Sequence, residues 1–106
     1  MSGSTIARSN LREDNFQAMF VGTCQKISTS GSSQQLTAFG ANTSVIRIFC
    51  TKDCHVKVAT NPTAATDGTS MFLPGGIVEY FAVQGGQKLA VIQDTTAGVL
   101  YCTEGQ

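Results

Sequence analysis

After Gln35 the chain alternates between apolar and polar residues in short runs, and turn residues separate these runs. An alternation with a period of two places every second side chain on one face of a strand, whereas a helix needs a period near 3.6. Short alternating runs bounded by glycine, proline and asparagine are typical of antiparallel sheets. The pattern therefore predicts an all-β chain that folds as a small antiparallel β-sandwich or barrel.

Two of these runs, residues 44–50 and 54–60, flank a short turn at residues 51–53. Pairing Cys50 with Cys54 predicts a hairpin with one apolar face. A shift of the strand register by one residue would place apolar and polar side chains together on both faces. The opposite face would bring Arg47 beside Lys57, with His55 near Phe49. The predicted core face consists of Ile46, Ile48, Cys50, Cys54, Val56 and Val58.

Three further runs follow a long loop, at residues 77–83, 87–93 and 99–103. Gly85 and Gly86 suit a two-residue turn with positive φ at both positions, so we expect these runs to form a meander of consecutive strands. Both faces of the meander are apolar. One face is expected to cover the core, and the other to meet an arm, a loop or another subunit.

The first 35 residues are rich in serine and contain one apolar island at residues 16–21. We assign residues 1–35 to an extended N-terminal arm and residues 36–106 to the sandwich or barrel domain. Because large apolar side chains are costly to leave in water, we expect the island to dock on a sheet, either of its own domain or of a neighbouring subunit. The predicted partner contacts are Phe16, Met19, Phe20, Val21, Arg47, Phe49 and Lys57.

No pattern in the sequence predicts catalysis, a cofactor or a metal site, so we expect the chain not to be an enzyme. Cys50 and Cys54 do not have zinc-knuckle spacing, and strand alternation turns His55 away from Cys54. The acidic residues are scattered, and no glycine pair is followed by Gly-Lys-Ser or Gly-Lys-Thr. Buried reduced thiols are the expected state of the cysteines, with a Cys50–Cys54 disulfide and a metal site as alternatives.

The charge of the chain limits the classes of partner that it can bind. Seven Lys and Arg residues balance seven Asp and Glu residues, and charged residues make up 13% of the chain. The chain lacks the basic excess that nucleic acids or anionic membranes attract, and no apolar run is long enough to span a bilayer. So low a charge content protects weakly against association, which predicts partners or an oligomer.

A series of motifs after Val45 has a familiar order. It comprises Asp53-Cys54, Asn61-Pro62-Thr63-Ala64, Phe72-Leu73-Pro74-Gly75-Gly76, Glu79-Tyr80-Phe81, residues 85–92 and residues 98–103. This order resembles that of small β-rich virion proteins of tailed bacteriophages and prophages. The resemblance is one of pattern, does not extend to residues 1–35, and carries no catalytic signature.

The resemblance implies a structural virion protein without a cofactor, most directly a capsid decoration or cement protein that stabilises the head through inter-subunit contacts. A neck or tail component is the alternative within this class, and a host-surface carbohydrate-binding module is the alternative outside it. The implied partners are copies of the chain itself, with a trimer as the favoured form, and the major capsid protein or another virion protein. The implied location is the virion, assembled in the bacterial cytoplasm, where thiols stay reduced.

Overall fold

The computed structural model describes residues 19–106, and its regular secondary structure is entirely β-strand. Within these residues eight strands form two antiparallel four-stranded sheets that pack face to face, which confirms the predicted all-β sandwich. The strands are β1 (Val21–Ser28), β2 (Gln34–Gln35), β3 (Val45–Cys50), β4 (Cys54–Ala59), β5 (Met71–Leu73), β6 (Val78–Ala82), β7 (Lys88–Gln93) and β8 (Val99–Gly105).

The strand order defines the architecture. Sheet I has the order β1-β8-β3-β6, and sheet II has the order β2-β7-β4-β5. Among the described strands, β4 and β5 are the one consecutive pair that bonds within a sheet. Eight strands wound into two sheets in this interlocked order form a jelly roll, the double Greek key that recurs in viral capsid and lectin domains.

The predicted hairpin of residues 44–60 is wrong, although its core face is right. Strands β3 and β4 lie in different sheets, and residues 51–53 carry the chain from one sheet to the other. Ile48, Cys50 and Cys54 are nevertheless fully buried, because both strands face the same space between the sheets. Arg47 and Lys57 consequently lie on opposite outer faces of the molecule and are not neighbours.

The predicted meander is also wrong. Strand β6 pairs with β3 in sheet I, whereas β7 pairs with β2 and β4 in sheet II. Gly85 and Gly86 therefore connect two sheets rather than two paired strands. Gly86 adopts a φ of +86°, while a Cβ atom on Gly85 would lie 2.5 Å from the carbonyl oxygen of Ala41, so both positions require glycine.

Residues 21–35 belong to the sandwich and not to the predicted arm. Strand β1 pairs with β8 from Val21 opposite Gly105 to Ser28 opposite Val99, with a bulge before Cys24. The serine-rich residues that follow form the short crossing to β2 in sheet II, and the backbone amide of Gln93 donates to the carbonyl oxygen of Ser30. Phe16 and the remainder of residues 1–18 lie outside the described residues.

Candidate interaction surface

The outer surface of sheet I is apolar and aromatic. Residues directly opposite each other in an antiparallel sheet share a face. Tyr101 of β8, Phe49 of β3 and Val78 of β6 therefore form one cross-strand row. We call this surface the open face; it is formed by Val45, Arg47, Phe49, Val78, Tyr80 and Tyr101.

Several side chains of the open face reach solvent in the described structure. Val78 is 36% exposed, Tyr80 39% and Tyr101 44%. A shallow depression of about 470 Å³ lies between Phe49, Val78 and Tyr101 and extends to Cys24 and Thr103. A contiguous apolar surface of this kind on a small domain is typical of an interaction site.

The charges on the open face are positive. Lys26 stands opposite Tyr101, and Arg47 lies between Thr103 and Tyr80. The acidic residues of the sheet I strands occupy inward register positions, since Glu79 pairs with Ile48 and Glu104 with Ile46. The strands of sheet I therefore present two cations and no carboxylate on this surface.

Glu104 is a buried carboxylate with a structural role that no sequence motif predicts. Its Oε1 accepts hydrogen bonds from the Gly40 amide at 2.9 Å and from the Thr43 hydroxyl at 2.7 Å. Its Oε2 accepts one from Gln25 Nε2 at 3.3 Å. These bonds attach the loop between β2 and β3 to sheet I. No local pattern around Glu104 distinguishes it from a surface glutamate.

Sheet II differs from sheet I because a loop covers part of its outer surface. Ala90 is fully buried even though it stands opposite Lys57 on the outward side of the sheet. The side-chain amide of Gln35 donates to Asn61 and to the carbonyl oxygen of Pro62, and the amide of Ala64 donates to Ser33. The loop between β4 and β5 thus covers this part of sheet II. On sheet I, no described residue covers the centre of the open face.

The structure brings together some of the predicted partner contacts and separates others. Arg47 and Phe49 lie on the open face, whereas Lys57 is exposed on sheet II. Phe20 and Val21 are 82% and 70% exposed at the start of β1. Met19 packs on Gly105. The contact is so close that a Cβ atom at Gly105 would lie 2.7 Å from the Met19 sulfur. Phe16 lies outside the described residues.

The histidine has a different environment from the predicted one. His55 does point away from the buried Cys54, but its aromatic neighbour is Phe72, at a centroid distance of 5.4 Å and an interplanar angle of 63°, and not Phe49. Its Nε2 lies 2.9 Å from Asp94 Oδ1, and its Nδ1 is buried without a hydrogen-bond partner. This arrangement places no thiol or hydroxyl beside the ring as a hydrogen-bonded nucleophile.

Cys50, Cys54 and Cys102 are buried free thiols, whereas Cys24 is exposed. Burial raises the pKa of the Cys102 thiol to about 12, and burial together with the adjacent Cys50 raises the pKa of Cys54. Within residues 19–106 no three metal-binding side chains cluster, and no helix in that range has the length and apolarity to cross a membrane.

Comparison of the chain with protein-family models, curated proteins and solved structures found no match. Any functional proposal therefore depends on the jelly roll, on the open face and on the motif order described above.

Proposed function

We propose that this chain is a structural protein of a tailed-phage virion, acting as a capsid decoration or cement protein. The open face is the observation that carries the proposal: it is apolar, aromatic and basic, and its centre is left uncovered by the described residues. The jelly roll recurs in viral capsid domains, which supports the proposal by analogy, because a fold alone does not define a function.

The composition of the open face suits a protein–protein contact. Tyrosine, phenylalanine and arginine are enriched at interfaces, where they supply most of the binding energy from the centre of the patch. Tyr101, Phe49 and Arg47 stand close together at the middle of sheet I. The rigid sheet beneath them also limits the conformational entropy that ordering the surface would cost.

The proposed partners are copies of the chain itself and the major capsid protein or another virion protein. A closed ring, with a trimer as the favoured form, would repeat the same contact around a symmetry axis. A neck or tail position uses the same contacts and is the alternative within this proposal. The proposed role needs no catalysis and no cofactor.

The test is the presence of the chain in particles made by the phage or prophage that encodes it. We expect purified particles to contain the chain in a fixed ratio to the major capsid protein, and particles lacking it to lose heat resistance. Tyr101→Lys should lower incorporation at least several-fold, whereas Thr66→Lys, in an exposed loop of sheet II, should not. A copy number unrelated to that of the capsid protein would indicate the neck or tail. Absence of the wild-type chain from particles would refute the proposal.

Carbohydrate binding is the second candidate, and Tyr80 and Tyr101 are the observation that favours it. Both are partly exposed on the same face of a jelly roll, a fold that also occurs in lectins. Sugar rings stack on exposed aromatic side chains, so Tyr101→Ala should abolish binding in a glycan-array or titration experiment. Absence of binding by the wild-type chain to host-surface glycans would eliminate this candidate.

A further inference from the structure

Strand β1 lies at one edge of sheet I and is the longest of the described strands. It pairs with β8 on one side, and no described strand pairs with its other side. Sheet II, by comparison, ends on strands of two and three residues. The pairing of β1 with β8 is regular from Cys24 to Ser28, because the bulge precedes Cys24. Strand β1 therefore presents a regular, unpaired edge over residues 24–28.

The register shows which backbone groups point to this free edge. Alternate residues of an antiparallel strand bond to the same neighbour. The Thr29 amide donates to the carbonyl oxygen of Gly98 at 2.9 Å, which continues the register of β1 with β8. The odd-numbered residues of β1 thus bond to β8, whereas Cys24, Lys26 and Ser28 direct their N–H and C=O groups to the free edge. These three residues are exposed, and no hydrogen bond among residues 19–106 uses those groups. Such a row of unpaired groups is a template for a further strand.

Lys26 gives this edge a positive charge. It stands opposite Tyr101 on the outer side of sheet I, so a strand added to β1 would place one of its own outward side chains directly opposite Lys26. The strands of sheet I carry no outward carboxylate. Within residues 19–106 the recorded ion pair is that of His55 with Asp94, so the Lys26 ammonium group has no carboxylate partner there. A carboxylate is therefore the side chain that complements this position.

The same charge disfavours a second copy of β1 as the added strand. A two-fold antiparallel pairing that uses residues 24–28 of both copies brings the two Lys26 side chains directly opposite each other. Like charges in that position are destabilising, whereas opposite charges stabilise the pairing. Charge complementarity therefore favours an acidic strand from a different protein.

We propose that the free edge of β1 is the docking site for an extended acidic segment of a different protein. The segment adds to sheet I as a further antiparallel strand, with a carboxylate opposite Lys26. Backbone hydrogen bonds to Cys24, Lys26 and Ser28 hold the segment, and the charge pair selects it. The added strand borders the open face and leaves its centre uncovered, so self-association through the open face is compatible with it. The inference goes beyond the proposed virion role and does not depend on it.

The probe for this edge is the peptide acetyl-Thr-Val-Glu-Val-Thr-amide, whose glutamate can stand opposite Lys26. Added to the full chain at about 1 mM, it should slow hydrogen exchange of the Cys24, Lys26 and Ser28 amides about twofold, as measured by NMR. The same peptide methylated on the glutamate nitrogen lacks the N–H that bonds to β1 and should have no effect. Unchanged exchange with the unmethylated peptide, or equal slowing by both peptides, would overturn the proposal.

The charge pair is tested by exchanging charges. The peptide with lysine in place of glutamate should bind about fivefold more weakly than the glutamate peptide. Lys26→Glu should reverse this preference, whereas Lys57→Glu, on the outer side of sheet II, makes the same change in net charge and should not. Reversal by both variants, or by neither, would exclude the contact with Lys26. Slower exchange of the Cys24, Lys26 and Ser28 amides as the chain concentration rises without peptide would identify a second copy as the occupant and overturn the assignment to a different protein.

Discussion

The four cysteines occupy two different environments that chemical labelling can distinguish. Cys24 is exposed, whereas Cys50, Cys54 and Cys102 are almost inaccessible to solvent. Because the thiolate is the reactive species, both burial and the raised pKa values of Cys54 and Cys102 slow their reaction.

We therefore expect a thiol reagent to modify one cysteine rapidly in native buffer and the other three upon unfolding. The Cys24→Ser variant should show no rapid phase. A rapid phase of two or more thiols would contradict the buried positions. Fewer than four reactive thiols in the chain unfolded without reductant would reveal a disulfide.

The raised pKa of Cys102 also predicts how stability depends on pH. The pKa of a cysteine thiol is 9.0 when unperturbed, and burial raises the pKa of Cys102 to about 12 in the folded chain. Between these values the unfolded chain releases a proton that the folded chain retains, so the free energy of unfolding falls as pH rises above 9, by at most about 1.4 kcal/mol per pH unit for each such thiol. Urea denaturation from pH 8 to 10.5 measures this slope. Cys102→Ala should make it shallower, and Cys24→Ala should not; identical slopes would disprove the assignment.

Glu104 predicts a large effect from a small substitution. In Glu104→Gln the new amide group faces Gln25 Nε2, and Gln25 cannot turn over because both ends of its amide already bond to the backbone of Thr37. Losing a buried hydrogen bond to a charged group costs about 1.5–3 kcal/mol. We expect urea denaturation to show a loss of that size. The loss should shrink in a Gln25→Ala background; an equal loss in both backgrounds would exclude the proposed contact.

At the scale of elements, the turn between β6 and β7 depends on the close approach of Gly85 to the loop before β3. A methyl group there would lie 2.5 Å from the Ala41 carbonyl oxygen. Gly85→Ala should therefore lower the free energy of unfolding by about 1–3 kcal/mol, the usual cost of overpacking. Gly31→Ala is the matched control, since no atom lies within 4 Å of the corresponding Cβ position. Similar midpoints for Gly85→Ala and the control in chemical denaturation would contradict this contact.

The strand pattern predicts which residues face the core but not which strands pair. Ile48 and Val56 are buried as expected, because a strand that crosses to the other sheet keeps its alternate side chains directed into the same core. Two strands joined in a hairpin and two strands in different sheets therefore show the same alternation of apolar and polar residues. Gly85 and Gly86 illustrate the difficulty, since a turn glycine suits a crossing as well as a hairpin. Pairing is decided by contacts distant in sequence, which the local pattern does not encode.

Part of the candidate surface could also be predicted. Arg47 and Phe49 were identified from their outward positions on β3, and the structure places both on the open face. Tyr80 and Tyr101 were not assigned as contacts, because the predicted meander placed them in an apolar layer. Lys57 was grouped with Arg47 on the basis of a strand pairing that does not exist. The alternation of side chains along a strand predicts which residues point outward. Which outward residues share one surface depends on the order of the strands in the sheet, and the alternation does not predict that order.

At the scale of the whole molecule, the open face predicts self-association. We expect sedimentation at tens of micromolar (about 50 μM) to show oligomers in equilibrium with monomers, the behaviour of a contact with a micromolar dissociation constant. Tyr101→Lys should shift the equilibrium to monomer by placing a charge in the apolar row. Thr66→Lys should leave it unchanged. A wild-type chain that stays monomeric over this range would count against an intrinsic oligomer, and equal effects of the two substitutions would place the contact elsewhere.

The position of β8 has a consequence for how the protein is made. Strand β8 lies between β1 and β3, although it follows both of them in the sequence by many residues, so sheet I cannot close before residues 99–105 are present. A ribosome makes β8 after the other strands of sheet I, and until then β1 has no partner strand and one edge of β3 is unpaired. Folding of sheet I therefore follows the synthesis of β8 and depends on pairing between strands distant in sequence, a slow and aggregation-prone process. A stalled or C-terminally truncated chain is consequently expected to be a substrate for chaperones and proteases rather than a partly folded jelly roll.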